Sequence, residues 1–380
     1  MAPAPDASNL FLGLISGTSM DGIDAALVDF SGSEPRLLGG ETYRYEPTLR
    51  DAIAAACSGT RSTPGDLAAL DTQIGEAFAA AALALLVKHG MNPQVIAGLG
   101  SHGQNVFHGP IGAALADAPS TLQLGNPHVI AARTGIATVA DFRRRDVALG
   151  GQGAPLAPAL HQQLFSHAGE NRAVLNLGGI ANLTLLPADP AAPVTGFDTG
   201  PASCLMDEWV QRHRGQAFDA DGAWAAGGTP KESLLELLLA DGYFGRQPPK
   251  STGREYFELG WLEAGIKAAG AAELSAQDVQ ATLAELSARS IAVALKRELP
   301  GCARLLVCGG GVHNAHLMAR LRDLLAPTVV ESTDRYGLPA DWVEAVLFAW
   351  LAREALRGGV TDLEAVTGAP AHVYGVRFSP

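Results

Sequence analysis

Two stretches of this chain follow the same plan, and that repetition limits the fold more than any other feature. Leu10-Phe11-Leu12-Gly13-Leu14-Ile15 is a short continuous apolar run, Ser16 to Gly22 a polar turn with glycines, and Ile23 to Phe30 an alternating run that returns as a strand. Ala173 to Leu177, Gly178 to Asn182 and Leu183 to Leu186 repeat the design about one domain-length later. Helical patterns follow the first copy at Asp66 to His89 and the second at Leu283 to Glu298, Leu317 to Leu325 and Trp342 to Leu356. Short strands are expected at Val95 to Ala97, Thr138 to Ala140 and Leu305 to Cys308. Repeated hairpins mixed with helices imply an α/β protein of two related domains with a cleft between them, and 380 residues suffice for two cores.

The formal net charge of −12 argues against a general nucleic-acid binder, which needs surplus Lys and Arg to neutralise phosphates. The longest uncharged apolar stretch, Ala77 to Val87, is too short to cross a bilayer and suits a packed helix. Cys57, Cys204, Cys302 and Cys308 form no C-x-x-C pair and no disulfide scaffold, and the first residues lack a secretory pattern. The expectation is a cytoplasmic protein with neither nucleic-acid nor membrane partners.

Three glycine turns compete as nucleotide sites. Gly17-Thr18-Ser19-Met20-Asp21-Gly22 has P-loop glycine spacing, but Ile23 stands where the phosphate-binding Lys belongs. It is either a hairpin whose N–H groups and hydroxyls face a phosphate, with Asp21 and Asp24 near a metal, or a plain polar hairpin tip. Gly98-Leu99-Gly100-Ser101-His102-Gly103 matches G-x-G-x-x-G, yet His108-Gly109-Pro110 prevents the helix a dinucleotide site needs. A polar active-site loop offering Ser101, His102 and Gln104 and a structural loop are its two readings. Gly309-Gly310-Gly311 admits a flat ring against bare backbone or close strand-to-helix packing.

Asp198-Thr199-Gly200-Pro201 follows a short strand end, so Asp198 is either a held general base or an Asx-type turn residue. Asp141-Phe142-Arg143-Arg144-Arg145-Asp146 offers arginines to an anionic or polyhydroxylated ligand, or else a salt-bridged turn. The adjacent Gly150-Gly151-Gln152-Gly153 favours a cleft or hinge. His313 and His316 lack a third ligand for zinc, and Asp21 spoils a G-x-S-x-G elbow.

Taken in order, Gly13 to Asp24, Ser101 to Gln104, Val139 to Asp146, Gly150 to Leu156, Asn176 to Asn182, Phe197 to Pro201, Gly309 to Asn314 and Ala340 to Ala345 closely resemble the anhydro-N-acetylmuramic acid kinase family along the whole chain. The resemblance implies the actin-like ATPase superfold, two ribonuclease H-like domains with an interdomain cleft: residues 1–147 plus 362–380, and residues 148–361. It implies ATP and Mg²⁺ as cofactors, with ATP held by Gly17, Thr18, Ser19, Met20, Asp21, Gly22, Ile23 and Asp24, by Gly178, Gly179 and Asn182, and by Gly309, Gly310 and Gly311. It implies Asp198 as catalytic base and Ser101, Gln104, Arg143 and Glu344 as substrate-binding residues. The reaction implied is hydrolytic opening of 1,6-anhydro-N-acetylmuramic acid with phosphorylation of the released 6-oxygen, giving N-acetylmuramic acid 6-phosphate in peptidoglycan recycling. A homodimer is left open. Ile15 and Asn176 stand where many actin-like relatives carry Asp, so the metal ligands stay unassigned. The chain departs from the family at Ala202-Ser203, where the family usually has Gly-Asn.

Overall fold

The computed structural model describes residues 9–17, 20, 22–60, 63–109, 118–254, 256–270 and 273–380. They divide into two compact units, residues 1–160 with 342–380 and residues 161–341.

In the first unit, β1 (Leu10–Ser16), β2 (Ile23–Asp29) and β3 (Arg36–Tyr43) form an antiparallel meander. β4 (Gly98–Gly109) lies parallel to β1, β5 (Ser120–Leu124) pairs with β4, and β6 (Thr138–Ala140) extends the sheet in parallel. The strand Val376–Phe378 closes the edge beside β6. β1 is buried throughout because helices cover both its faces. On one face Leu12 and Leu14 pack with Ile74, Phe78 and Leu85 of the helix Pro64–Lys88. On the other, the helix Val343–Leu356 lies so close that a Cβ on Gly13 would stand 1.8 Å from the Ala345 carbonyl oxygen, and one on Gly100 2.0 Å from that of Phe348. Those glycines are bare because the helix needs the space.

The second unit repeats the wiring. β7 (Arg172–Leu177), β8 (Ile180–Leu186) and β9 (Thr195–Pro201) form the meander, followed by β10 (Arg304–Cys308) and β11 (Val329–Ser332) in parallel, in the order β11-β10-β7-β8-β9. Its core joins these strands to the helices Cys204–Arg214, Ala276–Glu298 and Ala315–Leu325. The expected α/β fold with a duplicated hairpin is what the chain adopts.

Several details differ from the sequence reading. The expected boundaries at 147/148 and 361/362 are displaced: residues 148–160 and 342–361 belong to the first unit, the latter because the helix Val343–Leu356 packs on β1 and β4. Residues 93–95 form a 3-10 turn instead of leading into a strand at 95–97. The G-x-G-x-x-G run is the start of strand β4 and not a loop, its glycines serving helix contact and a bulge at Gly103, φ 77°. Asp198 lies inside β9, opposite Asn182, and not in a turn. The helix Pro64–Lys88 opens at a Thr63–Asp66 capping box. It is long and apolar enough to cross a membrane, and half of its most apolar window is buried within this unit.

Candidate active site

The end of β1 and the start of β2 flank the first glycine turn. Thr18, Ser19 and Asp21 lie outside the described residues. The turn's flanks are pinned by one buried side chain: Gln104 Nε2 donates to the Gly17 carbonyl (3.1 Å), while its Oε1 accepts from Ser16 Oγ (2.7 Å) and Tyr45 OH (3.3 Å). Gln104 is fully buried, so its amide sets the turn and has no exposed face for a ligand. Met20 adopts φ 56°, its N–H reaching the Gly17 carbonyl, and a Cβ on Gly22 would stand 2.6 Å from the Tyr43 carbonyl oxygen. Ile23 is core, and half-buried Asp24 accepts from Thr42 Oγ1 at 2.6 Å.

Arg143 is held at two points. Its Nε donates to His102 Nε2 (2.8 Å) and its Nη1 to the Gly153 carbonyl (2.8 Å). A guanidinium cannot accept, so His102 carries its proton on Nδ1, which donates to the Gly103 carbonyl at 2.9 Å. Burial, and then the charge of Arg143, hold His102 well below the usual histidine range. Burial also brings Arg143 down to about 10, against the opposing pull of Glu344 and Asp146. Asp146 is wholly buried and accepts from Gly153 N (2.6 Å), Thr367 Oγ1 (2.8 Å) and Tyr374 OH (2.7 Å), anchoring the glycine loop that grips Arg143. Glu344 keeps solvent-exposed surface, yet the protein around it desolvates its carboxyl and Asp24 adds negative charge. Its pKa is therefore raised, with Arg143 pulling the other way. Ser101 is buried with its hydroxyl unpartnered, beside a cavity of about 250 Å³ that His102, Asn126, Asp141 and Arg144 also line.

In the second unit Asp198 is half-buried on β9. Its Oδ1 accepts from Asn182 Nδ2 (2.8 Å) and its Oδ2 from the Thr252 N–H (3.0 Å). Its own N–H donates to the Lys250 carbonyl, and its carbonyl accepts from Tyr243 OH at 2.8 Å. The carboxylate is thus oriented by Asn182 and Thr252 while Lys250 and Tyr243 fix the backbone of Asp198, so the group is held as a positioned general base would be. Asn182 turns its amide to Asp198, not to the glycine turn beside it. Burial and the Asp198 charge push the Tyr243 hydroxyl up, so it stays a donor.

The turn at Gly178 and Gly179 joins β7 to β8. Its carbonyls accept from the N–H groups of Ala202, Ser203 and Cys204, so the Ala202-Ser203 pair that departs from the family serves by its backbone. Gly309, at φ 81°, and Gly311 press on β7, where added Cβ atoms would stand 2.3 Å from Asn176 Oδ1 and 2.5 Å from Leu177 Cβ. Gly310 alone faces open space. Close packing therefore explains two of the three glycines and leaves one bare surface. Among the described residues no cluster of three His, Cys, Asp or Glu side chains could hold a metal.

The sequence reading singled out Asp198, Arg143 and Glu344 but not Thr252, Tyr243 or the Asp146 network. Their partners lie between 7 and 228 positions away, and neither periodicity nor spacing signals such contacts.

Comparison with known proteins supplies the rest. The model of the family described as "Anhydro-N-acetylmuramic acid kinase" matches residues 9–379. A protein of that name from Xanthomonas axonopodis pv. citri is 54% identical over 366 residues, covering 95% of this chain and 96% of its own. Another from Xylella fastidiosa is 51% identical over 369 residues, covering 96% and 94%. Among solved structures, component A of (R)-2-hydroxyglutaryl-CoA dehydratase from Acidaminococcus fermentans aligns over 91% of this chain and 98% of its own. That likeness is 10% identical at a TM-score of 0.49, so no residue is carried across from it. The near-complete family match and the relatives above half identity place this chain in the anhydro-N-acetylmuramic acid kinase family.

Proposed function

We propose that this protein is an ATP-dependent kinase that opens 1,6-anhydro-N-acetylmuramic acid with water and phosphorylates its 6-oxygen. The observation that carries the reading is Asp198, a carboxylate oriented by Asn182 and Thr252, with Tyr243 bonded to its backbone carbonyl, in a chain of this family. A water oxygen bonds to the anomeric carbon and gives its proton to Asp198. The bond from that carbon to the 6-oxygen breaks, and the 6-oxygen bonds to the γ-phosphorus of ATP. The bridging bond to the β-phosphate then breaks and ADP leaves. The first half is the work of an inverting glycosidase base, the second an ordinary phosphoryl transfer.

Arg143 and Glu344 bind the sugar. The Arg143 fork is fixed at Nε and Nη1, which leaves its remaining donors for a carboxylate or hydroxyls of the substrate. The raised pKa of Glu344 suits a carboxyl that trades protons or hydrogen bonds with sugar hydroxyls. Ser101 supplies a buried hydroxyl, and Gln104 acts through the turn it pins. The turns at 17–24, at 178–182 and at 309–311 take the nucleotide. Mg²⁺, when bound, would neutralise charge on the phosphates, and it keeps several waters and so needs few protein ligands. A cytoplasmic location is supported by four cysteines that are all free. Incubation with ATP and the anhydro-sugar should yield a 6-phosphorylated reducing sugar by mass spectrometry. ATP consumed without that product would refute the activity.

A further inference from the structure

The segment Lys250 to Arg254 does more than orient Asp198. Two residues after Thr252, the Arg254 guanidinium lies against the bare backbone of the second glycine turn: a Cβ on Gly179 would stand 2.9 Å from both Nε and Nη2. Arg254 Nε is buried without a hydrogen-bond partner, and so is Thr252 Oγ1 beside it. The Arg254 charge is felt by Glu208 and the Cys204 thiol, but no carboxylate of a described residue pairs with it at ion-pair distance. Arg254 itself is half-buried, but an enclosed N–H donor left without an acceptor is costly, and an anionic ligand would satisfy it.

The turn's own geometry points to an anion. The carbonyls of Gly178 and Gly179 are taken by the N–H groups of residues 202–204. In a planar trans peptide the N–H points opposite to the carbonyl, so the N–H groups of Gly179 and Ile180 face away from that helix start. Backbone donors of this kind, with a planar fork alongside, make a phosphate cradle.

We propose that Arg254 is a catalytic residue of the phosphoryl transfer, its guanidinium binding the terminal phosphate of the nucleotide beside the Gly178–Gly179 turn. This rests on the reading that the turn faces the nucleotide phosphates. Arg254 forms no covalent bond. It bonds the equatorial oxygens of the phosphoryl group as the bond to ADP breaks and the bond to the sugar 6-oxygen forms, where a positioned arginine stabilises the spreading charge.

The test uses the full chain with Arg254→Met, Arg254→Lys and Gly178→Val. Binding of ADP and of a non-hydrolysable ATP analogue is measured by calorimetry, together with turnover. Arg254→Met should lower kcat by roughly a hundred- to a thousand-fold. It should weaken the ATP analogue about ten-fold or more while ADP changes little, a selectivity that a structural role would not produce. Arg254→Lys should lie between, since it keeps the charge without the fork. An unchanged ratio of analogue to ADP affinity in Arg254→Met overturns the proposal. If that variant loses both nucleotides, the ratio in Arg254→Lys decides instead. Gly178→Val separates the two layers, because an added Cβ there meets nothing nearer than 3.6 Å. If it leaves both affinities intact, the turn does not face phosphates and the proposal falls with that reading. If it weakens both while the Arg254 variants keep the wild-type ratio, only the role of Arg254 is lost.

Discussion

Asp198 accepts on Oδ1 from the Asn182 amide and on Oδ2 from the Thr252 backbone N–H. Asp198→Asn preserves the shape, and Asn182 can present its amide oxygen to the new NH₂ group, so sugar and nucleotide binding should persist. Turnover should fall by about a hundred- to ten-thousand-fold, because an amide cannot take the proton. Turnover near wild type, measured beside the sugar dissociation constant, would give the base role to another group. His102 makes a second case. Its lone pair on Nε2 aims Arg143, so His102→Leu should weaken sugar binding about ten-fold with little effect on ADP, whereas Gln, whose amide oxygen can reach the Nε2 position, should restore most of it. Equal binding in the Leu and Gln variants would contradict that role. Asp198 and Arg143 stood out as candidates in the sequence because they sit in dense local motifs. What fixes them did not: His102 and Arg143 are 41 positions apart, Asp198 and Thr252 are 54.

The elements show why a glycine motif misleads. Gly98, Gly100 and Gly103 suggest a loop because glycine is poor in strands, yet they begin a 12-residue strand. Gly98 and Gly100 are required by the helix Val343–Leu356, which carries Glu344 near its start. Gly100→Ala should therefore act as overpacking, costing about 1–3 kcal/mol in urea denaturation and raising the KM for the sugar as the helix shifts. Gly310→Ala, where nothing lies within 4 Å, should leave stability nearly unchanged. Equal stability losses at the two positions would contradict this packing account. The Asp-Thr-Gly-Pro run misled similarly: its composition reads as a turn, but it ends β9 at the sheet edge, where Pro201 is tolerated. The hairpins and long helices were legible because their apolar runs and 3.6-residue periodicity are local. β3, only partly buried, and the short β5 and β11 carry no such signal.

At the scale of the molecule, buried neutral histidines set the acid limit. His102 and His161 are 6% and 2% exposed, and burial holds His102 well below its usual range and His161 at about 3. In the unfolded chain both take up protons near pH 6.5. A depressed histidine therefore contributes no penalty above that value, and stability is lost progressively as pH falls below it, for His161 down to about 3. Between pH 7 and pH 5 the loss should be about 2 kcal/mol for His161, with a loss of the same sign from His102, before most carboxylates titrate. The urea midpoint should drop over that interval, and His161→Gln should remove part of the drop. A midpoint independent of pH from 7 to 5 would contradict the neutral assignment of both rings. The duplicated meander and a return of the chain to the first unit were legible at this scale, but the point of return, at residue 342 and not 362, was not, because one helical pattern looks like another until its packing partner is known. In the proposed reaction water attacks carbon while the sugar's own oxygen attacks phosphorus. Turnover in ¹⁸O-labelled water, followed by mass spectrometry of both products, tests it most directly. The heavy oxygen is expected in the anomeric hydroxyl of the sugar phosphate and none in the phosphoryl group. Label in the phosphoryl group, or in free phosphate formed in step with ADP, would contradict it.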